Sequence, residues 1–146
     1  MSFFFNYTDF KLTNQKLGQG SLGITYIIKR IIDNEDFVVK IINPQFEINE
    51  ERQLQLIYET YKLLKLNHPG IVKTVGINYQ SYKDPNKLSP SIMTEYFPKG
   101  SLKRNITNND FFHNSTQKYI TLLGISNTMN YLHHNNIIHG NLKPEN

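Results

Sequence analysis

The stretch that decides the fold lies at residues 18–28, where GQGSLG at 18–23 is followed directly by ITYII at 24–28. Glycine lets backbone amides approach a phosphate group closely and tolerates the dihedral angles of a tight turn. In a dinucleotide-binding turn, the same G-x-G-x-x-G pattern opens a helix. Here it leads into a β-branched strand, so it predicts a glycine-rich hairpin above a phosphate-bearing ligand. An ordinary flexible hairpin turn is the alternative for the motif taken alone.

The composition indicates one modest domain of 146 residues, 38% of them apolar and none of them cysteine. Disulfides and thiolate metal sites are therefore excluded, which favours a reducing compartment. The net charge of +4 comes from basic residues spread among acidic ones, without the basic run and interleaved aromatics of a nucleic-acid site. No apolar stretch reaches the roughly 18 residues of a membrane span, and the start lacks signal-peptide features. We therefore expect a soluble cytoplasmic protein with no nucleic-acid or membrane partner.

The rest of the pattern predicts an α+β fold. Five segments have strand character, at residues 8–17, 24–28, 37–42, 71–79 and 91–97. Their short connections imply an antiparallel sheet. Helical periodicity is found at residues 48–66, 115–134 and, more briefly, from Ser101. The helix at 115–134 is apolar on nearly every face, so it should be buried on several sides.

A lysine and a glutamate lie at suggestive positions on the third strand and the first helix. Lys40 lies 17 positions after Gly23, and Glu59 lies 19 positions after Lys40. Each residue taken alone is ordinarily a solvated surface residue. In combination with the glycine-rich hairpin, they predict a cation that binds phosphate and a carboxylate that holds this cation in place.

These segments resemble, in order and spacing, those of the eukaryotic protein kinase domain. Residues 18–25 resemble its glycine loop and FVVK at 37–40 its V-A-I-K strand. HPGIV at 68–72 resembles the segment after the family's C-helix, and IMTEYF at 92–97 resembles its hinge. HGNLKPEN at 139–146 resembles the catalytic loop H-R-D-L-K-x-x-N, in the form typical of the serine/threonine branch. The resemblance covers nearly the whole chain.

The resemblance implies a five-stranded antiparallel N-lobe sheet with one C-helix over residues 1–95. The hinge and the first helices of a truncated helical C-lobe would follow over residues 96–146, with the nucleotide between the lobes. ATP and magnesium would be the cofactors, and a protein serine or threonine the substrate. Thr94 would be the gatekeeper, and the backbone of Glu95 and Phe97 would bond adenine.

The resemblance also assigns roles to individual residues. Nucleotide contacts would come from the glycine loop, the strands around it and the hinge: Leu17, Gly18, Gly20, Gly23, Thr25, Val38, Lys40, Thr94, Glu95 and Phe97. Catalytic roles would fall to Lys40 and its partner Glu59, and to two catalytic-loop residues, Asn141 and Lys143. Asn146 would bind magnesium.

The sequence departs from the family pattern at several of these positions. Asn141 stands where the family has the catalytic aspartate, and a neutral amide is not a useful base near pH 7, which removes about 10²–10⁴-fold in rate. Gly140 replaces an arginine that in many kinases pairs with a phosphorylated activation loop. Thr25 and Val38 replace a valine and an alanine around adenine, and overpacking there would weaken binding by about one to two decades. The sequence contains no D-F-G segment.

Three interpretations follow. The chain is part of an ATP-dependent protein kinase, or a pseudokinase lobe that binds nucleotide or a protein partner as a scaffold, or a non-functional gene fragment. Asn141 favours the scaffold over an intact enzyme. A D-F-G segment downstream in the same reading frame would exclude the fragment.

Overall fold

The structure is a computed structural model that describes residues 3–20, 23–42, 50–82, 84, 86–107 and 114–145. The chain forms two compact units: the first contains residues 1–66 and 72–96, and the second contains residues 67–71 and 97–146. The elements, in chain order, are a 3-10 turn at Tyr7–Asp9, β1 (Phe10–Gly20), β2 (Gly23–Arg30), β3 (Asp36–Ile42), α1 (Glu50–Leu64), β4 (Thr74–Gln80), β5 (Leu88–Glu95), α2 (Leu102–Thr107) and α3 (Ser115–His134).

The five strands form one antiparallel sheet in the order β1-β2-β3-β5-β4. This confirms the predicted α+β fold with a five-stranded antiparallel sheet. Several strand bounds differ from prediction, and two of them bear on the candidate site and the sheet. Strand β1 continues through Gly20, so Gly18 and Gly20 lie in a strand and not in the turn. Strand β5 begins before Pro90, because an irregularity in the β4–β5 pairing accommodates a residue without an N–H.

The hydrophobic core of the first unit lies on one face of this sheet. Its fully buried members are Ile28, Val39 and Met93, and Phe5 and Phe37 complete the cluster. The strand residues alternate between faces, as expected for a pleated sheet with one apolar side. Consequently, the residues between them along β2, β3 and β5 project to the opposite face.

An N-terminal segment, residues 3–5, pairs with the outer edge of the sheet, which the sequence patterns did not predict. It runs parallel to β4, with hydrogen bonds from Ile77 N to Phe3 O (3.0 Å) and from Phe5 N to Ile77 O (3.3 Å). Gly76 permits this approach, because a Cβ there would lie 3.0 Å from Phe3 O. The segment therefore covers part of an edge strand that would otherwise present unpaired backbone groups.

Side-chain hydrogen bonds fix Phe5 and Tyr7 to the sheet. The Asn78 side chain donates to Phe5 O (2.7 Å), and the Tyr7 hydroxyl donates to the buried Ser91 hydroxyl (2.7 Å). Ser91 in turn donates to Asn78 O (3.3 Å). Burial raises the pKa of the Tyr7 phenol, against a smaller opposing effect of its hydrogen bond to Ser91. The neutral phenol is therefore favoured in the folded state.

The second unit includes residues 67–71 because this segment packs on α3. The Tyr131 hydroxyl accepts a hydrogen bond from Asn67 N (3.1 Å), and the Tyr131 ring stacks on His68 with centroids 4.9 Å apart. Gly70 allows the closest approach, since a Cβ there would lie 1.9 Å from Thr128 Oγ1. This packing explains why β4 begins at Thr74 and not at residue 71 as predicted.

Helix α3 has the predicted bounds, and the Asn114 side chain caps its N-terminus by accepting from Gln117 N (2.9 Å). Of its residues only Thr128 and Leu132 are buried. Contrary to the burial expected on several sides, four of its apolar residues are at least 60% exposed: Tyr119, Ile120, Leu122 and Leu123. In the described part of the chain, no helix combines the length and apolarity needed to cross a membrane.

Replacing Tyr7 with phenylalanine should remove about 1 kcal/mol of the free energy of unfolding at pH 7, since one partly buried hydrogen bond is lost. The stability linked to the neutral Tyr7 phenol is present below the unfolded pKa near 10 and is lost as the pH rises through the higher folded pKa. The gap between wild type and Tyr7→Phe should therefore narrow above about pH 10. Urea unfolding at pH 7 and at stepped alkaline pH measures this gap, and a constant gap would contradict the assignment.

Residues 1–146 expressed alone should self-associate or be poorly soluble, because the exposed apolar residues of α3 form a surface that favours association. Sedimentation velocity should show species larger than the 17.1 kDa monomer. Leu123→Lys should shift the distribution toward monomer, whereas Ser126→Lys on the same helix should not. A clean monomer for the unmodified chain would count against this expectation.

Candidate functional site

Strand register brings predicted site residues onto the sheet face opposite the core. Directly paired residues of antiparallel strands project to the same face. One cross-strand row runs over β1, β2, β3 and β5 and consists of Gly18, Thr25, Lys40 and Ile92. The predicted phosphate-binding lysine and one of the predicted loop glycines therefore share one row.

A second row on the same face lies two residues further along β3. It consists of Ile27, Val38 and Thr94. Ile27 is buried, whereas Val38 and Thr94 are partly exposed. The two rows together give an apolar floor that ends at the Lys40 ammonium group, a combination that suits a flat apolar ring joined to an anionic chain.

Lys40 is partly buried in the sheet. Among the residues that the structure describes, no ion pair includes Lys40. A partly desolvated ammonium group without a carboxylate is unfavourable unless another anion meets it. The position is therefore suited to an anionic ligand on this face of the sheet.

The structure does not bring Lys40 and Glu59 into an ion pair. Glu59 is exposed on α1, and its carboxylate accepts a hydrogen bond from Gln55 Nε2, one turn earlier (2.9 Å). Consecutive helical residues point about 100° apart. Helix α1 turns Thr60, and not Glu59, toward the interior of the first unit, where Thr60 is 1% exposed. The catalytic roles of Lys40 and Glu59 stay predictions.

The three glycines of the motif meet different surroundings. Gly23 is buried at the start of β2, and a Cβ there would lie 2.1 Å from Ile41 O, so the fold itself requires glycine. Gly18 and Gly20 are exposed, neither has a positive φ, and an added Cβ would meet nothing within 4 Å. The fold places no demand for glycine at these two positions. An open backbone above Lys40 fits the predicted approach of phosphate oxygens.

The hinge residues are divided between the two units. In the first unit, Glu95 N donates to Lys73 O (3.0 Å), and the Glu95 carboxylate accepts from Lys73 N (2.6 Å). The N–H of Glu95 is therefore already bonded. In the second unit, Phe97 is 52% exposed, and its carbonyl accepts from Gly100 N (3.0 Å). Leu17, in β1, is 45% exposed, so its side chain is open to a ligand.

The predicted catalytic loop lies exposed in the second unit. Asn141 N donates to His139 Nδ1 (3.3 Å), which closes a tight turn around Gly140. Gly140 has a φ of 69°, in the left-handed region that favours glycine, so the loop conformation itself accounts for glycine here. Lys143 is exposed, and Asn146 lies outside the described residues.

An ion pair ties the end of this loop to α2, and the sequence patterns missed it. Lys103 Nζ lies 2.9 Å from Glu145 Oε1, and Lys103 N donates to Pro144 O (2.7 Å). The hydrogen bond from Lys103 is the main cause that lowers the pKa of Glu145. A lysine placed 42 positions before a glutamate gives no local pattern from which the pair could have been found.

Magnesium finds no ligand set in the described residues, where no group of three or more histidine, aspartate or glutamate side chains could hold a metal ion. Asn146, the predicted ligand, lies outside that part of the chain.

Comparison with known proteins gives a consistent result. The sequence profile described as protein kinase domain matches residues 12–146. A putative serine/threonine-protein kinase/receptor of Acanthamoeba polyphaga mimivirus is 36% identical over 150 residues, covering 99% of this chain and 8% of that protein. The cAMP-dependent protein kinase catalytic subunit of Dictyostelium discoideum is 29% identical over 130 residues, covering 89% and 19%. The human 3-phosphoinositide-dependent protein kinase 1 is 28% identical over 138 residues, covering 94% and 23%. The chain thus spans less than a quarter of each of these relatives.

Gly23→Ala and Gly18→Ala should have opposite effects on stability. The added methyl at residue 23 meets the Ile41 carbonyl and should cost about 1–3 kcal/mol of unfolding free energy. At residue 18 the methyl meets open space and restricts the unfolded chain, so stability should stay level or rise by up to about 1 kcal/mol. Urea unfolding compares the two variants, and equal losses would refute the distinction.

Proposed function

Because the chain belongs to the protein kinase domain family, we propose that its first unit binds ATP on the sheet face that carries Lys40. The observation that carries this proposal is the partly buried Lys40, which lies in one cross-strand row with Gly18 and has no counter-ion among the described residues. Strands are about 4.8 Å apart, so the Lys40 and Gly18 backbones lie roughly 10 Å from each other across β2. A triphosphate spans a distance of this order.

At the phosphates of ATP, Lys40 would supply a positive charge. The glycines of β1 would supply backbone that phosphate oxygens can approach. The ammonium group gains a hydrogen-bonded anion, which offsets the cost of its partial burial. Gly18 and Gly20 carry no side chain that would keep phosphate oxygens from the main chain, and their surroundings are open. Gly23 supports the hairpin through its packing against β3 and does not need to touch the ligand.

At the adenine end, the apolar floor would take the purine ring. Thr25 and Val38 lie on the same face, and Thr94 closes the row as the proposed gatekeeper. The Glu95 carbonyl would accept from adenine, because its N–H already bonds Lys73 O. Leu17 completes the proposed contacts in the first unit. The extra bulk of Val38 should weaken affinity relative to a smaller residue.

For phosphoryl transfer, we propose that the protein resembles serine/threonine kinases in its reaction, with strongly reduced activity. Asn141 can orient a substrate hydroxyl through its amide oxygen but cannot take its proton near pH 7. Lys143 is exposed and would contact the transferred phosphoryl group. Magnesium, bound in part through Asn146, would supply charge neutralisation at the phosphates.

The second candidate function is a pseudokinase scaffold, which binds nucleotide and a protein partner without transferring phosphate. Asn141 favours it, because the residue that accepts the substrate proton in the family is replaced by an amide. We also propose a cytoplasmic location, which the absence of cysteine in the sequence supports.

Removal of the Lys40 charge should weaken nucleotide binding. Lys40→Met should raise the Kd for ATP about 10- to 100-fold in isothermal titration calorimetry, since a hydrogen bond to a charged group is lost. Lys87→Met is the matched control, because this lysine has an ion pair with Asp84 and a side chain that is 79% exposed. No detectable ATP binding by wild type, or equal effects of the two substitutions, would reject the proposed site.

Restoring the family aspartate should distinguish enzyme from scaffold. In the natural full-length protein, Asn141→Asp should increase phosphorylation of a generic serine/threonine substrate by about 10²–10⁴-fold if only the base is missing. Transfer of radiolabelled phosphate from ATP measures the gain, with Asn141→Ala as the inactive control. Unchanged, undetectable transfer in the aspartate variant would support the scaffold.

A further inference from the structure

We propose that the second unit binds an acidic segment of a partner protein on a basic surface formed by α2, the turn before it and the end of the predicted catalytic loop. We call this the α2 basic surface, and its charged residues are Lys99, Lys103, Arg104, Lys143 and Glu145. Binding at this surface would not require the nucleotide site, so it is compatible with a weakly active kinase and with a scaffold.

The formal charge of the chain is divided unevenly between the two units. The second unit contains five lysines and arginines and two acidic residues, a formal charge of +3, whereas the first contains eleven and ten, a formal charge of +1. Among the residues of the second unit that the structure describes, Glu145 is the only acidic one. Such a bias attracts anionic partners at distances up to about the Debye length.

Two contacts of Lys103 bring the end of the loop against α2. Lys103 N donates to Pro144 O (2.7 Å), and Lys103 Nζ lies 2.9 Å from Glu145 Oε1. The hydrogen bond from Lys103 is the main cause that lowers the pKa of Glu145, and the positive charge of Lys143 adds to this effect. Lys143 is therefore close enough to act on Glu145, and the loop and the helix contribute to one surface.

The turn before α2 adds Lys99 to this surface and supports Arg104. Asn105 Nδ2 donates to Lys99 O (3.0 Å) and to Ser101 O (2.8 Å), which fixes the turn to the helix. Gly100 has a φ of 72°, and Arg104 Cδ lies 3.2 Å from the position of a Cβ on this glycine. The Arg104 side chain therefore packs over the residue that follows Lys99.

The α2 basic surface has an excess of exposed positive charge. Glu145 neutralises Lys103, and their side chains are 45% and 62% exposed. Lys99, Arg104 and Lys143 are exposed, and none of them has an ion pair within the described part of the chain. Each exposed charge contributes little by itself, so a partner has to engage several of them at once. A peptide segment with several carboxylates meets this requirement.

The kind of cation favours an acidic peptide over a nucleic acid. Three of the four cations are lysines. Lysine is a compact, strongly hydrated charge and lacks the planar fork with which arginine recognises phosphates and bases. Carboxylates along a peptide need only complementary charge, and an extended segment reaches cations on both α2 and the loop.

Fluorescence anisotropy on the full chain, with a labelled peptide of alternating glutamate and glycine and without ATP, tests the proposal. The peptide should bind at low salt and more weakly at physiological ionic strength, because salt screens exposed charges. Arg104→Glu should weaken binding about three- to tenfold, since it removes an attractive charge and adds a repulsive one. Glu145→Gln should strengthen binding about two- to fivefold, because it removes a repulsive charge and frees Lys103.

Lys87→Glu is the matched control, because it makes the same change in net charge in the first unit, at a lysine that is paired with Asp84. It should change the affinity by less than about twofold. Equal losses in Lys87→Glu and Arg104→Glu, or no gain in Glu145→Gln, would overturn the proposal.

The choice of partner is tested with two further probes, a labelled peptide of alternating lysine and glycine and a labelled single-stranded oligouridylate. Both should bind more weakly than the glutamate peptide. Tighter binding of either probe, or no binding of the glutamate peptide at low salt, would overturn the proposal. Because ATP is absent from these measurements, a failure of the nucleotide site does not affect their outcome.

Discussion

Strand β3 lies in the middle of the sheet and has to satisfy two faces at once. Val39 points into the core beside Met93, while its neighbours Val38 and Lys40 point the other way. Because β3 pairs with β2 on one side and β5 on the other, a slip of one residue would place Lys40 in the core. The apolar side fixes the register, and the register fixes the position of the ammonium group relative to Gly18 and Thr94. The candidate site is thus a consequence of core packing on the opposite face.

The N-terminal segment, residues 3–5, stabilises the edge of the sheet. Strand β4 lies at the edge of the sheet, and residues 3–5 supply hydrogen bonds that this strand would otherwise lack. The aromatic residues that follow, Tyr7 and Phe10, pack against the core cluster. Residues 3–5 therefore have a structural role. They complete the covering of the core and link the sheet to α1 through Phe3.

The sequence predicted the five strands, their antiparallel pairing and α3, because each depends on local periodicity and on short connections. The location of Thr25, Val38, Lys40 and Thr94 on one face follows from the same alternation. Contacts between distant residues could not be predicted in this way. Periodicity does not decide which of two adjacent residues of α1 faces the interior, and the structure buries Thr60 and leaves Glu59 exposed beside Gln55. The Lys103–Glu145 pair and the edge pairing of residues 3–5 likewise join segments that are far apart in the chain.

Residues 67–71 affect how the backbone connects the two units. They belong to the second unit, where they pack on α3, yet the chain on both sides of them belongs to the first unit. The backbone therefore passes between the units at three points, after residues 66, 71 and 96. No single cleavage of the main chain can release the second unit as one intact fragment, since a cut after residue 96 leaves residues 67–71, which include the partner of Tyr131, on the other piece. Because of these five residues, one protease cut cannot separate the two units without dividing the second.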